Sequence, residues 1–298
     1  MEKSEKLQKI LSRVGVGSRR SMEQAIIDGR VSVNGKIAKL GDRAIATDVI
    51  RYDGRVINHK DSLMVACRVL AYHKPEGEIC SNRDPEGRPS VYDRLPPLNT
   101  GRWLNIGRLD LNTSGLLLFT NDGELAHRLM HPSHEVTREY AVRVFGDVTA
   151  EMLELMTKGV EIDGQLNKFD KIEFNGGEGI NRWYKVFLHE GHNREVRRMF
   201  EYFELKVSRL IRVSYGDIKL ERTIPRGGWI ELGLNDVNYL RSLVDLPREN
   251  ETFVKPVAGK KETKRDLYKK AAQIKRAVRR HKERLYEGRV KKTRSANH

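Results

Sequence analysis

Cysteine is scarce in this chain: two residues, Cys67 and Cys80, among 298. Without a CxxC pair or a Cys/His cluster there is no donor set for a structural zinc, and the two thiols read as ordinary reduced cysteines. Long apolar runs are also missing. No stretch approaches the ~20 apolar residues of a membrane-spanning helix. The opening MEKSEKLQK is charged where a signal peptide has its apolar core. The expectation is a cytoplasmic protein with no membrane partner. A GxGxxG turn, a phosphate-binding loop, and the clustered carboxylates or paired histidines common in nucleases are absent too.

Positive charge is abundant: 56 Lys and Arg against 41 Asp and Glu, a net charge of +15. Such a balance points to an anionic partner, nucleic acid first. Its distribution is uneven. Residues 1–60 carry +6 and residues 255–298 carry +13, which leaves −4 for residues 61–254. The ends read as an electrostatic grip and the middle as the working part. Length and an apolar content of 38% suit two domains plus a tail.

Residues 1–60 read as two helices and a hairpin. Leu7, Ile10, Leu11 and Val14 share one helical face, and Gly15 and Gly17 end that helix. Ser18 is placed to cap a second helix that stops at Asp28-Gly29. Two strand-like triplets then flank Asn34-Gly35, a type I′ hairpin signal. Arg19 and Arg20 fall in the first turn of the second helix. A cation is disfavoured there by the helix dipole, so the pair reads as a phosphate contact that works with the helix N-terminus. The stretch LQKILSRVGVGSRRSMEQAIIDGRVSVNG resembles the S4-type RNA-binding domain.

Residues 61–248 alternate strands and short helices without βαβ regularity, which predicts an α+β domain on a mixed, largely antiparallel sheet. Arg68–Tyr72, Leu116–Thr120, Glu139–Val144, Trp183–Leu188 and Val207–Val213 read as strands. A helix follows the Asn121-Asp122-Gly123 turn, and Asn193 is expected to cap another that runs to Phe203. Residues 249–298 form a linker and a basic tail, expected to be disordered in solution and helical on RNA.

The most informative segment is WLNIGRLDLNTSGLLLFTNDGEL. It sets Asp110 in a polar loop just before a buried-looking strand. By itself such an aspartate fits an Asx-turn or a cap as well as a catalytic group. Gly-Arg-Leu-Asp followed by Asn-Thr-Ser-Gly-Leu-Leu-Leu, however, resembles the catalytic motif of the pseudouridine synthase family typified by the small-subunit rRNA enzyme. The resemblance implies that Asp110 is the catalytic carboxylate and that Arg108 enters the helix vacated by the target base. Arg138-Glu-Tyr-Ala-Val142 matches a second family motif at Tyr140, whose ring would stack on the flipped uracil. Read without the family, Tyr140 is a core tyrosine on an alternating strand. In the helix after Glu190-Gly-His-Asn193, Val196, Met199, Phe200 and Phe203 form the apolar face. Arg197 sits on its edge, within reach of a half-buried carboxylate, while Arg194 and Arg198 point away. The resemblance also picks Arg197 for the family's salt bridge. Arg194, Arg198 and Lys74 are read as RNA contacts.

The resemblance covers residues 1–248 and implies isomerisation of a uridine in ribosomal RNA by base flipping, with no cofactor and no metal. Lys74-Pro-Glu-Gly77, Asp84–Pro89, Asn238-Tyr-Leu-Arg241 and the basic tail resemble the large-subunit branch of that family, which implies a target in 23S rRNA near the peptidyl-transferase centre. A monomer is expected. Its substrate is expected to be a stem-loop or a pre-ribosomal particle. A synthase acting on small-subunit rRNA is the nearest alternative. A non-enzymatic RNA chaperone or ribosome-assembly factor is the alternative from another class.

Overall fold

The computed structural model describes residues 4–59, 65–81 and 84–253. The +13 stretch and most of the expected tail lie outside the described residues.

The N-terminal module runs β1 (Glu5–Lys6), α1 (Leu7–Arg13), α2 (Arg19–Ile27), β2 (Val31–Val33), β3 (Lys36–Ile37), β4 (Arg43–Ala44), β5 (Ile50–Tyr52) and β6 (Arg55–Val56). Ser18 caps α2 by accepting from the Ser21 amide at 3.0 Å. Asn34 and Gly35 take φ of 51° and 82°, as a type I′ turn requires. Leu7, Ile10, Leu11, Met22, Ile26 and Ile50 close a small core of the module's own.

The second domain is built on a nine-stranded sheet. Its elements are β7 (Val69–Lys74), β8 (Leu104–Ile106), β9 (Ser114–Thr120), α3 (Gly123–Met130), β10 (Arg138–Phe145), α4 (Ala150–Lys158), β11 (Val160–Ile162), β12 (Gln165–Asn167), β13 (Lys171–Glu178), β14 (Asn181–Leu188), α5 (Glu195–Tyr202), β15 (Lys206–Tyr215), β16 (Ile218–Lys219), β17 (Trp229–Glu231) and α6 (Leu234–Ser242). The main order is β13-β14-β10-β15-β9-β7-β17, with β8 beside β9 and β16 beside β15. Every pairing is antiparallel except β15 with β9. Two antiparallel halves therefore meet at one parallel seam. Apolar residues of α4 and α5 pack on one face, those of α3 and α6 on the other.

The seam positions the site. Parallel strands are entered from the same end, so the segments leading into β9 and β15 become neighbours. Into β9 leads the loop holding Asp110, and ahead of β15 stands α5 with Arg197. At the seam Gly115 faces Arg212, and a side chain on Gly115 would collide with the Arg212 backbone. Its φ of 114° also favours glycine.

Two expectations need correction. Asn193 does not cap α5; the position before the helix is Arg194, at φ 52°, with no side-chain cap. Instead the Glu195 carboxylate reaches back to accept from the His192 amide at 3.1 Å. The expected linker also starts too early. Asn238 exchanges two hydrogen bonds with the Glu249 backbone, Arg241 donates to Pro247 O and pairs with Glu249, and Thr252 donates to Cys67 O. The Asn238-Tyr-Leu-Arg241 motif thus holds the chain against the domain beyond residue 248.

Candidate active site

A cleft of about 1360 Å³ opens between the N-terminal module and the sheet. One wall is Glu5, Lys9, Ser12, Arg13 and Arg19; facing it are Arg108, Asp110, Tyr140 and Arg212. This exceeds the 300–1,000 Å³ usual for small-molecule pockets and suits a polymer. The two domains touch at its base, where Arg102 donates to Ser12 Oγ at 3.0 Å and Lys9 lies 3.7 Å from Glu124.

The Asp110 loop is clamped through its backbone. Five consecutive carbonyls have donors. Leu109 O accepts from Cys80 Sγ at 3.3 Å, Asp110 O from Lys74 Nζ at 2.9 Å, and Leu111 O from the Gly77 amide at 2.8 Å. Asn112 O accepts from Arg197 Nη2 at 2.8 Å and Thr113 O from Lys74 Nζ at 2.8 Å. The Lys74-Pro-Glu-Gly77 motif supplies three of these bonds. With the backbone fixed, the Asp110 side chain stands exposed at the cleft, and no hydrogen bond holds its carboxylate among the described residues. It is neither an Asx-turn nor a cap.

Lys74 is fully buried, which overturns the expected RNA contact: no phosphate can reach its ammonium. Three carbonyls surround it, those of Pro75, Asp110 and Thr113. Burial lowers its pKa, while nearby Cys80, Glu78 and Asp110 act the other way.

Tyr140 lies on β10 with Val142 and Val144 in the same buried phase. It is a core residue, as the alternation implies, and it also lines the cleft. A register shift after Glu139 sets Tyr140 opposite Arg212, and Arg212 in turn opposite Gly115 and Gly115 opposite Lys74. One row of the sheet therefore carries Tyr140, Arg212 and Lys74 under the Asp110 loop.

Arg197 is buried, as its place on the helix edge implies. Its guanidinium spans α5, β15 and the loop, donating to Val207 O at 3.0 Å and Asn112 O at 2.8 Å. The expected ion pair with Asp110 is not formed among the described residues; the backbone carbonyls take its donors instead. Burial and then Arg194 lower the Arg197 pKa, and Asp110 offsets part of that.

The remaining arginines separate. Arg19, Arg108 and Arg194 line the cleft. Arg194 also pairs with Glu201 at 2.9 Å. Arg20 is exposed but is not among the lining residues. Arg198 is turned toward β11 and β12, where it pairs with Asp163 at 2.5 Å. Residue reading alone missed Arg212, although a signal existed: it is a charge in the same inward phase as Leu210.

An enzyme that works on RNA is the class this combination of fold and cleft defines. Comparison with known proteins narrows it. Residues 68–202 match the RNA pseudouridylate synthase family and residues 5–50 match the S4 domain. Ribosomal large subunit pseudouridine synthase B of Escherichia coli (strain K12) is 59% identical over 280 residues, covering 93% of this chain and 94% of that protein. The Vibrio cholerae protein of the same name is 55% identical over 283 residues, covering 95% and 88%. A crystal structure of a pseudouridylate synthase superposes with a TM-score of 0.56 at 25% identity, over 79% of this chain and 99% of that one. The chain belongs to the RNA pseudouridylate synthases. It is therefore an isomerase with an RNA substrate, and a purely structural RNA chaperone is set aside.

Proposed function

We propose that the chain converts one uridine of 23S rRNA, near the peptidyl-transferase centre, to pseudouridine. It would act as a monomer in the cytoplasm on a stem-loop or an assembling particle. The observation that carries the reading is the five-carbonyl clamp that presents Asp110 to a cleft floored by Tyr140. The names of the relatives, which match along nearly the whole chain, support the large-subunit target.

The reaction conserves composition. The N1–C1′ bond breaks, the base turns, and a C5–C1′ bond forms; the C5 proton leaves and N1 acquires one. No oxidant, reductant or group donor is needed. A uridine inside structured RNA must first leave its stack, at a cost of a few kcal/mol. Arg108 fills the vacated space, and Tyr140 offers its face to the base. Asp110 then acts as nucleophile or base at the sugar or uracil, on a backbone held rigid by Lys74, Gly77, Cys80 and Arg197. Arg19 and Arg194 contact phosphates on the two walls.

Mapping pseudouridines in 23S and 16S rRNA from cells with and without the gene tests this. One 23S position should lose its pseudouridine and regain it with the wild-type gene, but not with Asp110→Asn. Loss confined to 16S rRNA sinks the target, and restoration by Asp110→Asn sinks the role of the carboxylate.

A further inference from the structure

Arg212 is a buried cation with nothing negative to face. It is 2% exposed, and its Nε donates to Leu116 O at 2.7 Å. Among the described residues neither of its Nη nitrogens has a hydrogen-bond acceptor, and no carboxylate pairs with it. Its other contact is a loose one, 5.7 Å over the Tyr215 ring. A guanidinium is always charged and carries five N–H donors. Enclosing Nη2 with its protons unused is costly unless something else fills the need. Holding Leu116 O requires only Nε and does not explain the rest.

Its position explains it better. Arg212 lines the cleft and is paired directly with Tyr140 across β15 and β10. Directly opposed residues carry their side chains on one face, with Cβ atoms ~5 Å apart. A pyrimidine lying on the Tyr140 ring would bring its edge within reach of the Arg212 tip. Gly107, at φ 77° and with no side chain, leaves the approach open. A Cβ added there would lie 3.9 Å from Arg212 Nη1.

We propose that Arg212 donates a hydrogen bond to a carbonyl oxygen of the flipped uracil. When the N1–C1′ bond breaks, its electron pair passes to the base and spreads from N1 onto the carbonyl oxygens. A guanidinium at one of them stabilises that charge in a site shielded from water. Substrate recognition and departure of the base are thereby served by one buried donor. The inference rests on the uridine-isomerising reading above.

The test uses a 23S stem-loop containing the uridine that the full-length wild-type chain converts. That uridine is replaced by 2-thiouridine or 4-thiouridine, because sulfur is a poorer hydrogen-bond acceptor than oxygen. Single-turnover rates are measured with wild type, Arg212→Lys and Arg212→Gln, with RNA affinity and thermal midpoint alongside. One of the two thio substitutions should slow wild type roughly tenfold to a hundredfold, the range for a hydrogen bond to a charged group. In the variants the same substitution should cost less than about threefold, because the bond is already gone. Equal thio penalties in wild type and in the folded variants overturn the proposal. So does a wild-type rate unaffected by either sulfur, an arm that depends on no variant folding. Failure of wild type on the unmodified stem-loop counts against the uridine reading instead.

Discussion

Arg197 and its two neighbours show how one turn of helix divides three arginines among three tasks. Arg197 is buried and bonded to two backbone carbonyls. Arg194 stands at the cleft in a pair with exposed Glu201, and Arg198 points away to Asp163. Arg197→Ala removes both donors and leaves Val207 O and Asn112 O without them. Each abandoned carbonyl costs about 1–3 kcal/mol. The loop clamp also loses one of its five points, so the rate should fall as well as the stability. Neither Arg194→Ala nor Arg198→Ala touches a buried partner of the loop. Urea unfolding and single-turnover rates of the three variants should therefore rank Arg197→Ala far below the others. Were Arg194→Ala the slowest, the loop clamp would not be what sets activity. Choosing Arg197 needed only helical periodicity. Knowing what it binds needed the fold, since Asn112 and Val207 come from segments that periodicity does not bring together. The same holds for Lys74: a lysine before a proline on a strand looks like a surface charge until three carbonyls are seen around it.

At the level of elements, β1 and α1 are pinned by Glu5, which pairs with Arg13 at 2.5 Å and with Lys9 at 3.4 Å. Lys9 then reaches Glu124 at the start of α3, joining the module to the sheet domain. Burial pushes the Glu5 pKa up, but hydrogen bonding and charge from Arg13, with Lys9 behind it, outweigh that and hold it below the ordinary carboxylate value. A depressed carboxyl stabilises the fold fully above its unfolded pKa and loses that contribution as pH falls through the folded value. Because the group is partly solvated, the effect is small, at most about 1 kcal/mol. Glu5→Gln should thus lower the urea midpoint slightly at pH 7, and the gap to wild type should close as the pH is taken down through the folded value. A gap independent of pH would mean that Glu5 acts through packing and not through its charge. Such pairs were invisible in the sequence, whereas the elements they join were plain. The Ser18 cap, the Asn34-Gly35 turn and the alternation of Tyr140, Val142 and Val144 are local signals, and each appears where local chemistry places it. The parallel seam of β9 and β15 is not local, because the two strands are far apart in the chain, Ser114–Thr120 against Lys206–Tyr215.

On the scale of the whole molecule the charge is arranged against the chemistry. Residues 1–60 carry +6, residues 61–254 carry −4 and residues 255–298 carry +13. Asp110, Tyr140 and the buried arginines all belong to the middle. The N-terminal module contributes to the cleft directly, through Lys9, Arg13 and Arg19. Each phosphate that a cation neutralises releases counterions, so log affinity falls with log salt by roughly 0.7–0.9 per phosphate contact. Full-length protein should show a steep slope. Deleting residues 255–298 should make it shallower and weaken binding to long RNA, while single-turnover conversion of a saturating short stem-loop stays near the wild-type rate. Arg19→Ala should behave differently, because Arg19 lines the same cleft as Asp110: its loss should slow conversion even when the stem-loop is saturating. Paired titrations across a salt series, with rates alongside, separate the two. An unchanged slope after truncation would mean that the +13 stretch does not touch RNA. A collapsed rate at saturation would mean that it helps to build the site, and the division between grip and chemistry would fail.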